Sequence, residues 1–163
     1  MIGPLLFSIY INDLMDRVTS NLRLFDDDAV VYGRVSSLSD CNRIQDDLDK
    51  IASWCVEWQL ALNVDKCKVM QMNRKINPVT FEYSIGSVPL DIVATIKYLG
   101  VILRSDMKWN EHVRTVVGKA DSRLRFVGRI LGRCSSSVKE TAYKTLVRPR
   151  LEYCSFGIRT RSV

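Results

Sequence analysis

The chain has 163 residues and a mass of 18.7 kDa, which is the size of about one domain. Hydrophobic residues make up 47% and charged residues 26% of the sequence, and these fractions exclude a disordered or low-complexity protein. The net charge of +6 is uneven, because residues 1–63 carry five basic and ten acidic side chains, whereas residues 64–163 carry 19 basic and eight acidic ones. A basic half suggests a polyanionic partner such as a nucleic acid.

The spacing of cysteine and histidine does not match that of a zinc site. The five cysteines form no close pair, and His112 is the only histidine. We expect free thiols in a reducing compartment, and therefore an intracellular protein. The longest apolar run, Pro4 to Ile11, is too short to span a bilayer and lacks the flanks of a signal peptide, so no membrane partner is expected.

The first elements are a helix and a hairpin. Pro4 suits the first turn of a helix whose apolar stripe continues to about Met15. Two β-rich runs, Leu22–Phe25 and Ala29–Tyr32, flank three consecutive aspartates. This pattern predicts a β-hairpin with the acids at its tip.

A second helix is predicted after the hairpin, with Ser37 or Ser39 as its N-cap. Apolar residues recur at steps of three and four, at positions Cys41, Ile44, Leu48, Ile51, Cys55 and Trp58. Trp54 and Trp58 are four residues apart, and we interpret them as core residues in preference to base-stacking platforms.

The middle of the chain has short β patterns. Strands are predicted at Cys67–Met72 and Val79–Ile85, with a turn at Gly86–Ser87. Ile96–Leu103 is also β-like, around Gly100.

From Asn110 onwards the pattern is helical, with one apolar face formed by Val113, Val116, Val117, Ala120, Leu124, Val127 and Leu131. A last helix is predicted to start at Ser135–Ser137, and Pro149 should kink or end it. The fold class is therefore α+β, with residues 1–104 mixed and residues 105–163 forming a basic helical segment.

The three aspartates need an explanation, because neighbouring carboxylates repel each other unless cations lie between them. Mg²⁺ prefers hard oxygen ligands and bridges phosphates in polymerase-type sites. The alternative is a solvated turn, since aspartate is common in turns. The flanking residues favour a site, because an aromatic residue followed by Asp26, Asp27 and Asp28 between two apolar strands is a narrow pattern.

Four further segments carry recognisable patterns in chain order: Ile2–Leu14, Trp54–Met70, Lys97–Val101 with Trp109 and His112 behind it, and Leu146–Cys154. Together with Leu24–Tyr32, they resemble reverse transcriptases of LINE-type (non-LTR) retrotransposons, and the jockey-like branch most of all. Leu24–Tyr32 looks like the Phe-Ala-Asp-Asp catalytic hairpin of that family, and Lys97–Val101 looks like its primer-grip hairpin.

The resemblance implies an RNA-directed DNA polymerase that extends a DNA primer on an RNA template with deoxynucleoside triphosphates. Two Mg²⁺ ions would stabilise the attacking and leaving oxygens, with Asp27 and Asp28 as catalytic ligands. In the family a further aspartate comes from an earlier palm strand, which this sequence lacks along with the fingers.

The chain therefore looks like a late palm, an antiparallel sheet with helices on one face over residues 1–104, followed by a thumb over residues 105–163. We expect the fragment to be inactive without the missing N-terminal palm and fingers. A non-catalytic nucleic-acid-binding domain, or the remnant of a decayed mobile element, is the alternative.

Asp26 departs from the family, whose members usually carry a small apolar residue at this position. Strand alternation places Asp26 on the face of Leu22 and Leu24, unless the turn redirects it. An unpaired buried carboxylate is costly, which puts activity in doubt.

The resemblance also implies roles outside the hairpin, each with a plain alternative. Lys66 or Lys68 would approach the incoming nucleotide, or both are solvated. Tyr98, Leu99 and Gly100 would contact the primer, or they form an ordinary hairpin. The proposed nucleic-acid contacts, whose alternative is a solvated helix face, are Arg114, Lys119, Arg123, Arg125 and Arg129.

Overall fold

The computed structural model describes residues 3–73 and 79–155. The chain divides into two compact units, of which the first comprises Met1–Val69 and Arg74–Val93 and the second comprises Met70–Asn73 and Ala94–Val163. Helices and short strands are mixed, which confirms the α+β class. Residues 156–163 of the predicted basic helical segment lie outside the described residues.

In its described residues, the first unit holds three α-helices and three strand pairs. Strands β1 and β2 pair antiparallel, as do β4 and β5, whereas β3 pairs parallel with β6. The elements are α1 (Gly3–Tyr10), α2 (Leu14–Arg17), β1 (Asn21–Phe25), β2 (Asp28–Tyr32), α3 (Leu38–Glu57), β3 (Lys68–Val69), β4 (Ser84–Ile85), β5 (Val88–Pro89) and β6 (Asp91–Ile92).

The second unit is a hairpin followed by helices. Its strands β7 and β8 pair antiparallel. The elements are β7 (Thr95–Tyr98), β8 (Val101–Arg104), α4 (Asn110–Ile130), α5 (Ser136–Ala142) and α6 (Arg148–Glu152). The division into residues 1–104 and 105–163 stays a prediction about domains.

The described strands form four separate pairs where one antiparallel sheet was expected. Four of these eight strands are only two residues long, and the pair β3–β6 joins segments that are far apart in sequence. Within the described residues, none of the helices combines the length and the apolar character that a bilayer-crossing segment needs.

The first predicted helix is shorter than expected. It ends at Tyr10, and a separate short helix begins at Leu14. The backbone N–H of Asn12 donates to the carbonyl of Ile9, only three residues back. This tightening coincides with Asn12 and Asp13, residues that favour turns over helix interiors.

The predicted strand Val79–Ile85 is reduced to Ser84–Ile85. The side chain of Gln45 on α3 contacts the first residue of this short strand: its amide nitrogen donates to the carbonyl of Ser84 at 2.9 Å and its amide oxygen accepts from the N–H of Ser84 at 3.0 Å. A side chain thus occupies backbone groups that a neighbouring strand would otherwise pair. The turn at Gly86–Ser87 is confirmed. The predicted strand Cys67–Met72 is likewise shorter, at Lys68–Val69.

The last helix starts where predicted, but Pro149 does not end it. Helix α5 passes through a wide turn at Tyr143–Val147 into α6. In this turn the N–H of Arg148 donates to the carbonyl of Tyr143, five residues back. Wide turns of this kind accommodate a disruption of the regular helix pattern, such as a proline that cannot donate.

The first unit is organised by α3. Ser37 and Asp40 form a capping box at its start, which confirms the predicted N-cap. The core packs on the apolar stripe of this helix, and its buried members are Ile11, Leu14, Leu22, Ile51, Trp54 and Cys55.

Asp47 is fully buried on α3, on the same side as the core residues. Its carboxylate accepts from the backbone N–H of Thr19 at 3.0 Å and from that of Ser20 at 2.7 Å. The hydroxyl of Thr19 and the ammonium of Lys50 also donate to it. Burial raises the pKa of Asp47, but these hydrogen bonds outweigh burial and hold the pKa well below its usual range.

Asp47→Asn should lower the free energy of unfolding by about 2–3 kcal/mol, because the charge-assisted hydrogen bonds to Thr19 and Ser20 are lost. The low folded pKa adds stability above the unfolded pKa of about 3.9, and this stability is lost as the pH falls further. Urea unfolding between pH 3 and pH 7 should therefore show a shallower acid dependence in the variant.

Asp46→Asn is the matched control, since it removes the same charge from an exposed position of the same helix. It should change the free energy of unfolding by no more than about 0.5 kcal/mol. Equal losses in both variants would contradict the anchoring role of Asp47.

Candidate functional site

The β1–β2 hairpin brings the three aspartates to an exposed tip, as predicted. Phe25 pairs with Asp28, so that Asp26 and Asp27 form a two-residue loop. All three carboxylates are exposed. At the other end of β1, Leu22 is buried in the core, which fixes the hairpin to the body of the first unit.

The turn redirects Asp26. Its φ angle is +49°, in the left-handed region, and its side chain is exposed, whereas Leu22 and Leu24 on the same strand face the core. Aspartate tolerates this conformation better than most residues do. The cost of a buried carboxylate, expected from strand alternation, is therefore absent.

The tip offers hard oxygen donors. Mg²⁺ in polymerase-type sites is held by one or two carboxylates together with substrate phosphates, and Asp27 with Asp28 fits that donor set. Across residues 3–73 and 79–155, no group of three or more histidine, cysteine, aspartate or glutamate side chains is arranged to hold a metal ion. The tip thus presents carboxylates of the kind that Mg²⁺ binds, and a complete metal site there would need further oxygen atoms.

The two candidate lysines differ in their surroundings. Lys68 lies on β3, and its ammonium forms an ion pair with Asp91 on β6 at 2.7 Å. The hydrogen bond and the charge of Lys68 lower the pKa of Asp91. Lys66 ends the 3₁₀ turn Val64–Lys66, and its side chain is exposed. Lys66 is therefore the better placed of the two to meet a phosphate.

The predicted β pattern around Gly100 is a hairpin with a tight turn. Leu99 and Gly100 have φ angles of +45° and +81°. Positive values at both central residues are typical of the type I′ turn, which matches the twist of the flanking strands. Tyr98 is the last residue of β7, so the three candidate primer-binding residues are adjacent at one end of the hairpin.

His112 joins this hairpin to α4. Its ring is buried, and its Nδ1 accepts from the backbone N–H of Ile102 on β8 at 3.2 Å. The ring of Trp109, at the start of α4, packs edge-on against that of His112, with the ring centroids 6.1 Å apart. The segment that follows the hairpin therefore supports β8.

A basic groove lies along α4 in the second unit, with a cavity volume of about 460 Å³. Arg114, Lys119 and Arg123 line it together with Arg150 from α6, which the sequence analysis did not single out. None of these four cations forms an ion pair with an acid of the described residues. Four unpaired cations without a carboxylate in the lining are suited to phosphate groups.

The other two candidate arginines lie outside the lining of this groove. Arg125 is ion-paired with Asp121 one turn earlier on α4, at 2.5 Å. Arg129 lies in the last turn of α4. Of the five predicted nucleic-acid contacts, three therefore line the groove, and Arg125 and Arg129 do not.

The tryptophans differ in burial. Trp54 is 2% exposed and belongs to the core, as predicted. Trp58 is 39% exposed, and its ring packs edge-on against that of Tyr10 with centroids 5.1 Å apart. Trp58 is thus less buried than a core residue.

Comparisons with known proteins agree with the motifs. The family described as "Reverse transcriptase (RNA-dependent DNA polymerase)" matches residues 1–103. The chain is 26% identical over 91% of its length to the "Probable RNA-directed DNA polymerase from transposon BS" of Drosophila melanogaster, and 26% identical over 99% to the "RNA-directed DNA polymerase from mobile element jockey" of Drosophila funebris. It spans 18% and 19% of those two relatives. No solved structure matches it significantly.

Gly100→Ala should destabilise the β7–β8 hairpin in two ways. A side chain in the left-handed region costs roughly 1–2 kcal/mol. In addition, a Cβ on Gly100 would lie 3.3 Å from Cε1 of Tyr153, so the ring must move. Gly86→Ala is the control, because Gly86 has a φ angle of +61° but no atom near the new Cβ. A greater loss in Gly100→Ala is expected in urea unfolding, and equal losses would contradict the contact with Tyr153.

Proposed function

The chain belongs to the reverse transcriptase (RNA-dependent DNA polymerase) family, and on that premise we propose that it forms the part of a retrotransposon polymerase that carries the catalytic hairpin, a primer-contacting turn and a nucleic-acid groove. Its relatives confirm the resemblance to LINE-type, jockey-like reverse transcriptases. Because the chain spans less than a fifth of them, the activity of the whole polymerase is itself part of the proposal.

The exposed hairpin tip carries this proposal. In the reaction, the 3′-oxygen of a DNA primer attacks the α-phosphate of a deoxynucleoside triphosphate, a new P–O bond forms, and pyrophosphate leaves. Negative charge develops on the attacking and leaving oxygens. Asp27 and Asp28 would hold Mg²⁺, which supplies positive charge at these oxygens when bound. Their exposure leaves both carboxylates open to a substrate.

The hairpin has to be held in a fixed position for this reaction, and Asp47 anchors the residues just before it. The N–H groups of Thr19 and Ser20, which immediately precede β1, both donate to the carboxylate of Asp47. The carboxylate and the core packing of Leu22 thus hold the start of β1 on α3. Catalytic groups have to be held within a fraction of an ångström of their working positions, and a rigid attachment of the hairpin serves this purpose.

The remaining candidate contacts complete the proposal. Lys66 would approach the triphosphate of the nucleotide, with Lys68 retained as a second candidate. The turn of Tyr98, Leu99 and Gly100 would contact the primer. The first unit would then belong to a palm and the helices of the second unit to a thumb, working with palm and finger segments beyond those described here, on an RNA template and a DNA primer.

A non-catalytic nucleic-acid-binding domain is the second candidate function. The basic groove favours it, because four unpaired cations can bind a phosphate backbone without any reaction. The two candidates predict different roles for the hairpin, since a binding domain would not need the carboxylates of Asp27 and Asp28.

Mn²⁺ can replace Mg²⁺ as a paramagnetic probe of the hairpin tip. With a dideoxy-terminated primer on an RNA template and a matching nucleotide, Mn²⁺ should broaden the amide signals of Phe25–Ala29 in the ¹⁵N-labelled chain. Asp27→Asn should weaken Mn²⁺ binding there by at least about tenfold, because loss of even a residue that only hydrogen-bonds to a metal ligand typically weakens metal binding by that much.

Asp26→Asn is the matched control, because it removes an identical charge from the same loop at a residue that is not proposed as a ligand. It should leave Mn²⁺ binding within about twofold. Equal effects of the two variants, with no dependence on the nucleotide, would indicate a solvated acidic turn and favour the non-catalytic alternative.

Salt dependence tests the groove. The affinity for a primer–template duplex should fall linearly on a log–log plot against salt, with a slope of about 0.9 per contacted phosphate. Replacing Arg123 and Arg150 together by Gln should make the slope shallower by about 2 and weaken binding to all sequences alike. Fluorescence anisotropy at several salt concentrations measures both effects.

Replacing Arg125 and Arg129 together by Gln is the charge-matched control. A smaller change in slope is expected, because both residues lie outside the lining and Arg125 already pairs with Asp121. Binding that does not depend on salt, or the same change in both double variants, would contradict a role for the groove.

A further inference from the structure

The turn at Leu99 and Gly100 has an unusual residue in its first central position. Leucine at a φ angle of +45° is uncommon, because its Cβ crowds the backbone in the left-handed region. The type I′ turn usually has asparagine, aspartate or glycine there. Such a conformation persists only where neighbouring groups hold it.

Tyr153 supplies such a group. Its hydroxyl donates to the carbonyl of Leu99 at 2.8 Å, across 54 residues of sequence. Its ring lies against Gly100, where a Cβ would come within 3.3 Å of Cε1. One side chain therefore contacts both central residues of the turn, and the missing side chain of Gly100 makes room for it.

The position of Tyr153 is itself fixed. It follows the last residue of α6, and its N–H donates to the carbonyl of Pro149 at 3.0 Å. Within α6, Arg148 forms an ion pair with Glu152 one turn later, at 2.6 Å. Val147, immediately before α6, is buried. The hydroxyl thus projects from an ordered segment.

We propose that Tyr153 is a positioning residue that holds the Leu99–Gly100 turn in the conformation in which it meets the end of a primer. This inference rests on the proposed primer-contacting role of the turn. Tyr153 acts through the hydrogen bond to the carbonyl of Leu99 and through its ring against Gly100.

Tyr153 would act by restricting the conformations that the Leu99–Gly100 turn can adopt. Without the hydroxyl, the carbonyl of Leu99 can turn to water, and the strained φ angle of Leu99 can relax toward common values. The turn would then populate several conformations, and binding of a primer end would have to select one of them. The apparent affinity for the primer end falls in proportion to the fraction that remains competent.

The test compares Tyr153→Phe, which keeps the ring and removes the hydroxyl, with Tyr143→Phe. Tyr143 is also exposed and lies in the same unit, so it controls for the chemical change. Hydrogen–deuterium exchange of the free 163-residue chain reports on the turn directly. Tyr153→Phe should accelerate exchange in the segment 97–102 by about fivefold or more, and Tyr143→Phe should not.

Binding provides the second readout. The substrates are an RNA–DNA duplex with a recessed primer 3′ end and a blunt RNA–DNA duplex with the same total number of phosphates. The wild-type chain should prefer the recessed end, and Tyr153→Phe should reduce that preference at least threefold while binding the blunt duplex equally well. A merely structural defect would weaken binding to both duplexes, and thermal melts of each variant identify such a defect.

The outcomes separate the inference from the function on which it rests. Unchanged exchange in Tyr153→Phe would overturn the inference whatever the binding result. Faster exchange with an unchanged preference for the recessed end would overturn the positioning role. A wild-type chain without any preference would contradict the primer-contacting function and with it the positioning role, whereas the exchange result would still decide whether Tyr153 holds the turn.

Discussion

A buried carboxylate governs the first unit. Asp47 carries a negative charge at a position without solvent exposure, so the fold has to surround it with donors. The backbone of Thr19 and Ser20 supplies them, and this requirement fixes the path of the chain just before β1. The orientation of the hairpin, and with it the position of the tip aspartates, depends on these hydrogen bonds to the carboxylate of Asp47.

Elements that are determined by neighbouring residues could be predicted from the sequence. The hairpin could be predicted because three aspartates interrupt two β-rich runs, and α3 could be predicted from its stripe and its N-cap serine. Asp47 could also have been noticed, because it lies three residues after Ile44 and seven before Trp54, on the apolar side of the helix. An acid in that position has to find partners elsewhere in the chain.

Features that depend on contacts between distant parts of the chain could not be predicted from the sequence. Strand β6 is two residues long and pairs with β3 more than twenty positions earlier, which leaves no periodic pattern to detect. The side chain of Gln45, 39 residues earlier, occupies the backbone groups of Ser84 at the start of β4. Similarly, Arg150 joins the groove only because α6 packs on α4, and nothing in its neighbouring residues distinguishes it from other arginines.

The wide turn at Tyr143–Val147 sets the rotational phase between the helical segments on either side of it. Each residue of an α-helix advances the chain by about 100° around the axis, so one residue more or less re-aims everything downstream. Arg150 and Tyr153 both follow the turn, and both meet their partners only with this phase. The number of residues between the start of α5 and Tyr153 is therefore constrained as well as their identity. Single-residue insertions or deletions, which an exposed loop would tolerate, should not be tolerated in this stretch of helix.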